Sequence, residues 1–214
     1  MSAVSNTQDD VLTALRQATA ERHAELDMRT PLAAAEADLC AYRDHLRLLE
    51  AWLAPTQDWL AAFEDGFERR DYLRLIRADL AHPALAHLPE AWDGAGPLNA
   101  PWTSLSPSSP EMGGAYRWGV RYVIEGSQLG GAVLYKRLAR RLAPHPLDYL
   151  RGDGSPGPRW QRFIAALRAE VTTPARIEEA CRGARQAFDS LIALNRLGLN
   201  RAVSSSSTEP AGQP

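Results

Sequence analysis

Apolar residues recur at three- and four-residue spacing through most of the chain, the period of an amphipathic helix. Over 9–28 the face is Leu12, Leu15, Thr19, His23 and Leu26. Residues 36–67 carry Leu39, Tyr42, Leu46, Leu49, Leu53 and Leu60 on the same spacing, with Pro55 expected to break or kink the helix. A shorter helix is predicted over 69–81, ending before His82-Pro83. The pattern returns over 115–142, where Gly126, Gly130 and Gly131 interrupt it, and again over 159–171 and 174–197. Pro174 suits the first turn of the last helix. Residues 88–114, rich in Pro, Gly and Ser, read as a long functional or wrapping connection, and 144–158 as a second loop. Alternating β-branched runs and internal repeats are absent. The expected architecture is all-α, a single domain of about six to eight helices. Its expected bounds are a flexible start over 1–8, a helical domain over 9–198 and a Ser-rich disordered tail over 199–214.

Composition narrows the function classes. A chain of 214 residues with net charge −2 gives no whole-molecule attraction to nucleic acid or an acidic membrane. No stretch of about 18 apolar residues occurs, so no membrane span is expected. The first ten residues lack the basic and apolar regions of a secretory signal. Cys40 and Cys181 stand apart, with no zinc-like spacing, and read as buried reduced thiols of a cytoplasmic protein. Of the 24 basic residues only Lys136 is Lys. A coding bias towards Arg accounts for the rest.

Two segments carry candidate chemistry. His23 lies on the apolar stripe of the first helix, with Asp27 one turn on and able to accept its Nδ1–H. That is the arrangement of many metal-ligating histidines. A core histidine capped by an aspartate is the other reading. Arg16 lies seven residues before His23, near the same azimuth and about 10 Å along the axis. There a cation can meet an anionic group at the rim of a large flat cofactor, or simply point into solvent.

The second segment is Tyr122-Val-Ile-Glu-Gly-Ser-Gln-Leu-Gly-Gly-Ala-Val-Leu-Tyr-Lys136. Each glycine inside a helix costs about 1 kcal/mol relative to alanine, so three in six residues need a reason. Gly126 and Gly130 share one face, one turn apart. Close packing against another helix is one reason; a flat ligand against bare backbone is the other. A phosphate loop is excluded, because the GK[ST] ending and the preceding strand are missing.

Together these segments resemble the heme oxygenase family, in particular its bacterial members linked to bilin production. Leu15-Arg-Gln-Ala-Thr-Ala-Glu-Arg-His-Ala-Glu-Leu-Asp27 is similar to the family's proximal helix. Glu125-Gly-Ser-Gln-Leu-Gly-Gly131 is similar to its kinked distal helix, and the stretch from Thr172 to Phe188 to its C-terminal helix. The resemblance spans roughly residues 11–197. It implies His23 as the iron ligand, Asp27 as its orienting partner, and Gly126, Ser127, Gly130 and Gly131 as the catalytic distal segment. It further implies Arg16 and Lys136 as propionate partners, with Arg159 and Arg162 where the family places further basic residues. Tyr122 is within reach of a propionate by the same reasoning. Animal members have an Asp where this chain has Ser127, so proton supply here would run through water, backbone carbonyls or Ser127.

The activity so implied is cleavage of heme b by O2 and reducing equivalents to biliverdin, CO and Fe2+, with heme as cofactor and substrate. An electron donor such as a ferredoxin or a flavin reductase is implied, and a bilin-accepting photoreceptor is the expected consumer. Two rival classes stand beside it: a protein that stores or transfers heme without cleaving it, and a different enzyme on the same scaffold. His45, His82, His87 and His145 have no metal-site spacing, and His82 and His87 are expected at the surface. Tyr116, Trp118 and Tyr122 fit a core better than a cofactor wall. Lys136, Arg137, Arg140 and Arg141 crowd a helix C-terminus, where the macrodipole favours cations.

Overall fold

The computed structural model describes residues 10–61, 66–88, 113–152 and 155–206, with side chains to 198. The expected flexible start, most of the connection over 88–114 and the end of the tail lie outside the described residues. Within them the chain forms eight α-helices, one 3-10 turn and no strand. The helices are α1 (Val11–Arg29), α2 (Leu39–Ala61), α3 (Tyr72–Leu80), α4 (Pro83–Ala86), α5 (Gly114–Leu138), α6 (Asp148–Arg151), α7 (Pro156–Glu170) and α8 (Pro174–Ser206). The 3-10 turn, Pro31–Ala33, follows α1. No helix among the described residues is long and apolar enough to cross a membrane.

The all-α expectation holds, with several differences at boundaries. Pro55 does not break α2, which runs on through it to Ala61. A helix-interior proline costs about 3 kcal/mol. Trp52, Leu53, Trp59 and Leu60 are all buried around it, and each buried large apolar side chain returns roughly 1.5–3 kcal/mol. Packing wins. Helix α2 is described to Ala61, residues 66 and 67 are not in the expected helix, and Gly66 adopts φ 71°. The expected loop over 144–158 contains the single turn α6, and α7 begins at Pro156, three residues early, with proline in its first turn. At the C-terminus α8 continues to Ser206, past the expected boundary at 198. A helix already nucleated and docked extends at little cost.

Helix α8 is the spine. Gly119 of α5 and Gly183 of α8 bring two backbones into contact: a Cβ on Gly119 would lie 1.9 Å from the Ala180 carbonyl oxygen, and one on Gly183 would lie 2.1 Å from that of Tyr116. Helix α1 also packs along α8, tied by ion pairs from Arg22 to Asp189 (2.7 Å) and from Arg196 to Glu25 (2.6 Å). Only the first half of α1 is core: Val11, Leu12, Leu15 and Thr19 are buried, and His23 is not.

Loop 139–147 and α6 are pinned by one buried carboxylate. Asp79 accepts from the Tyr42 hydroxyl (2.5 Å) and from the backbone N–H groups of Asp148 (3.0 Å) and Tyr149 (2.8 Å). His145 is buried above it, accepting from the Leu147 N–H at 3.0 Å. The His82 ring lies 4.5 Å away, so His82 is half-buried and caps α4, not the surface residue expected.

Candidate functional site

Helices α1 and α5 both lie on α8, yet among the described residues they have no extensive contact with each other. They are joined at two places. At one end the Tyr122 phenol is hydrogen-bonded to Thr19, whose own hydroxyl donates to the Leu15 carbonyl at 2.8 Å. At the other, Arg137 donates to the Leu32 carbonyl, and Arg141 reaches the Ala35 carbonyl (2.8 Å) and Glu36 (2.7 Å). The links follow the same order along both segments, so the two run in the same direction, and the space between the two links is the candidate gap. Between Tyr122 and Arg137 the gap is about 22 Å long.

His23 lies one turn past Thr19 and Gly126 one turn past Tyr122. The imidazole Nδ1 is 2.8 Å from Asp27 Oδ2, and the His23 side chain remains 63% exposed. Its ring centroid lies 5.9 Å from that of Phe188 on α8. With Nδ1 bonded to a carboxylate, the other ring nitrogen carries the lone pair and can bind a metal. Among the described residues no three His, Cys, Asp or Glu side chains converge on one point, so His23 offers a single imidazole.

The glycines divide by environment. A Cβ on Gly130 would meet nothing within 4 Å, and one on Gly126 would touch only the Trp160 ring at 3.7 Å. Gly131 faces the other way, onto Leu150 at 3.8 Å. Val133, seven residues after Gly126 and so close to its azimuth, is 68% exposed. Helix–helix packing therefore explains Gly119 and Gly183, which spacing alone did not single out; Gly126 lies against Trp160 of α7, and Gly130 is left as bare backbone. By that register His23 and Gly126 fall at corresponding heights on α1 and α5, and Val133 supplies an exposed apolar flank. That is a cradle for a flat, largely apolar group needing one axial ligand.

No protein-family model and no solved structure matches the chain. A curated relative does: "Heme oxygenase" from Xanthomonas campestris pv. campestris (strain 8004) is 34% identical over 149 residues, 68% of this chain and 81% of the relative. The chain belongs to the heme oxygenase family.

Against that family's pattern, the structure brings together some of the expected residues and separates others. Arg16 is exposed near the Tyr122 phenol, whose pKa burial raises and Arg16 counteracts. Lys136 is exposed with no ion-pair partner among the described residues, at the opposite end of the gap and roughly 80° around α5 from Gly126. Arg162 is exposed on the face of α7 opposite Trp160, turned from the gap. Ser127 donates its hydroxyl proton to the Ile124 carbonyl (2.7 Å), about 100° around the helix from Gly126. That proton is spent within the helix.

Arg159 also departs from the propionate expectation. It is buried, and its Nε and Nη2 each lie 2.7 Å from an oxygen of Glu125; Nη2 also donates to the Glu68 carbonyl at 2.8 Å. Burial works against its charge, but the hydrogen bonds and field of Glu125 hold the guanidinium protonated. The Tyr72 hydroxyl donates to the same Glu125 carboxylate at 2.8 Å. Tyr149, buried under α5, accepts from Gln128 Nε2 at 3.1 Å and is hydrogen-bonded to Ser127. Glu125, Tyr72, Tyr149, Trp160 and Phe188 were not read from the sequence as site residues. Glu125 alone left a trace there, as a charge in the apolar run Val123-Ile124-Glu125.

Proposed function

We propose that this protein binds heme b in the gap between α1 and α5 and cleaves it oxidatively to biliverdin, CO and Fe2+. The observation that carries the reading is His23, exposed and held at Nδ1 by Asp27, one turn past the Thr19–Tyr122 link on α1 as Gly126 is on α5. The donor set fits the group: one exposed imidazole oriented by a carboxylate, an exposed apolar flank at Val133 and an exposed cation at Arg16. Membership of the heme oxygenase family supports the same reading.

When bound, heme supplies the iron that activates O2 and the macrocycle that is cleaved. The chain's own residues do the rest. His23 would hold the iron through Nε2, with Asp27 orienting the ring through Nδ1. Gly126 and Gly130, lacking side chains, would let the α5 backbone approach the bound group closely. Arg16, beside Tyr122, pairs with a carboxylate at that end of the gap and fixes rotation in the plane. With Ser127 committed to Ile124, protons reach the site through water at the glycine backbone. Electrons come from an external donor such as a ferredoxin or flavin reductase, and a bilin-accepting photoreceptor is the natural consumer of product.

The test is aerobic turnover of the hemin-loaded protein with a reductant. The expected result is a Soret band that decays as a biliverdin spectrum grows. A Soret band that persists under those conditions makes the protein a heme carrier and ends the catalytic reading.

A further inference from the structure

The buried ion pair behind the distal glycines has a role that neither heme ligation nor propionate binding describes. Glu125 immediately precedes Gly126, and its carboxylate is 7% exposed. Three hydrogen bonds converge on it, one from Tyr72 of α3 and two from Arg159 of α7. The next residue along each helix makes the next contact: Trp160 is what a Cβ on Gly126 would touch. Helices α5 and α7 thus meet through two adjacent pairs, one charged and one apolar. Phe67 lies under the Arg159 guanidinium at 4.9 Å and closes the far side.

A glycine has no side chain with which to anchor itself. In a helix lined by open space on one flank, its height above the gap is set by its neighbours. We propose that Arg159 and Glu125 form a positioning pair that fixes the backbone of Gly126 over the heme plane, so that Arg159 serves the distal helix and not a propionate. The proposal rests on the heme reading above.

Charge argues for this over direct ligand contact. Both sides of the Arg159 fork that carry Nε and Nη2 are occupied, and its remaining Nη1 faces the Glu68 carboxylate at 3.8 Å. A propionate arriving there would meet two carboxylates already in place. Arg16, by contrast, is exposed beside the Tyr122 phenol.

The test compares Glu125→Gln, Arg159→Gln and the double variant, with Arg159→Lys as a conservative control that keeps the charge. In the heme-free protein, amide hydrogen exchange over 124–131 is expected to accelerate about tenfold in either single variant, and no further in the double. Arg159→Lys is expected to fall between wild type and Arg159→Gln. In the hemin complex, affinity is expected to stay within about threefold of wild type, while the pH dependence of the ferric heme spectrum shifts in both singles. Unchanged exchange in both single variants overturns the proposal. So does a loss of hemin affinity of about tenfold in Arg159→Gln with none in Glu125→Gln, since that makes Arg159 a propionate ligand. If wild type itself yields no Soret band, the heme reading fails, and exchange in the heme-free protein alone decides whether the pair holds Gly126.

Discussion

His23 Nδ1 and Asp27 Oδ2 lie 2.8 Å apart across one turn of α1, on side chains that are 63% and 65% exposed. An exposed pair of this kind contributes little to folding. Its geometry makes sense as preparation of the ring for a ligand. Asp27→Asn is therefore expected to leave urea unfolding of the heme-free protein within about 0.5 kcal/mol of wild type. Hemin affinity is expected to fall by roughly ten- to a hundredfold, the usual effect of losing a partner that orients a metal ligand. Equal affinity in a hemin titration would remove Asp27 from the site.

The two glycine environments separate in stability. Gly130→Ala places its methyl in open space and is expected to stabilise the heme-free protein by about 1 kcal/mol while impairing bilin formation. Gly119→Ala drives a Cβ into the Ala180 backbone and is expected to cost on the order of 3 kcal/mol. Chemical denaturation checks both. A destabilised Gly130→Ala would mean that this glycine, too, exists for packing.

Arg16 and Lys136 occupy opposite ends of a gap about 22 Å long, so they do not serve the same propionate edge in one heme orientation. Arg16→Ala is expected to lower hemin affinity and broaden the mixture of biliverdin isomers. Lys136→Ala is expected to leave both unchanged. Chromatography of the products decides it. A Lys136→Ala variant with a changed isomer ratio would reverse the heme's orientation in this account.

Acid stability should report on His45. Its ring is buried with Nδ1 unpartnered among the described residues, and burial lowers its pKa from 6.5 to about 4. The folded chain then refuses a proton that the unfolded chain accepts. Stability is untouched above pH 6.5 and falls as pH drops towards 4, by on the order of 3 kcal/mol from this residue. His45→Gln should flatten that part of the curve of unfolding free energy against pH. An unaltered curve would show that His45 is protonated in the folded protein.

The helices and the proximal motif were legible because local periodicity encodes them. Leu12, Leu15 and Thr19 are buried as their spacing required, and Asp27 caps His23 as i,i+4 geometry allowed. What spacing could not convey was partnership between distant segments. Arg159 and Glu125 are 34 residues apart, and nothing in either neighbourhood marks them as a pair. Asp79 likewise gathers Tyr42 from α2 and Asp148 and Tyr149 from α6. Pro55 shows the converse: a strong local rule yielded to the burial of Trp52 and Trp59 on either side. Of three conspicuous glycines, Gly130 meets open space, Gly126 packs on Trp160 and Gly131 on Leu150, a division that depends on neighbours supplied by α6 and α7.

The central claim is that His23 is the single protein ligand to heme iron, and hemin titration of His23→Ala beside wild type, with and without added imidazole, tests it most directly. Wild type is expected to bind one hemin with a sharp Soret band. His23→Ala is expected to lose about a hundredfold in affinity and to regain a wild-type spectrum when imidazole fills the space left by the ring. Hemin affinity and a spectrum in His23→Ala indistinguishable from wild type, with no response to imidazole, would contradict the account.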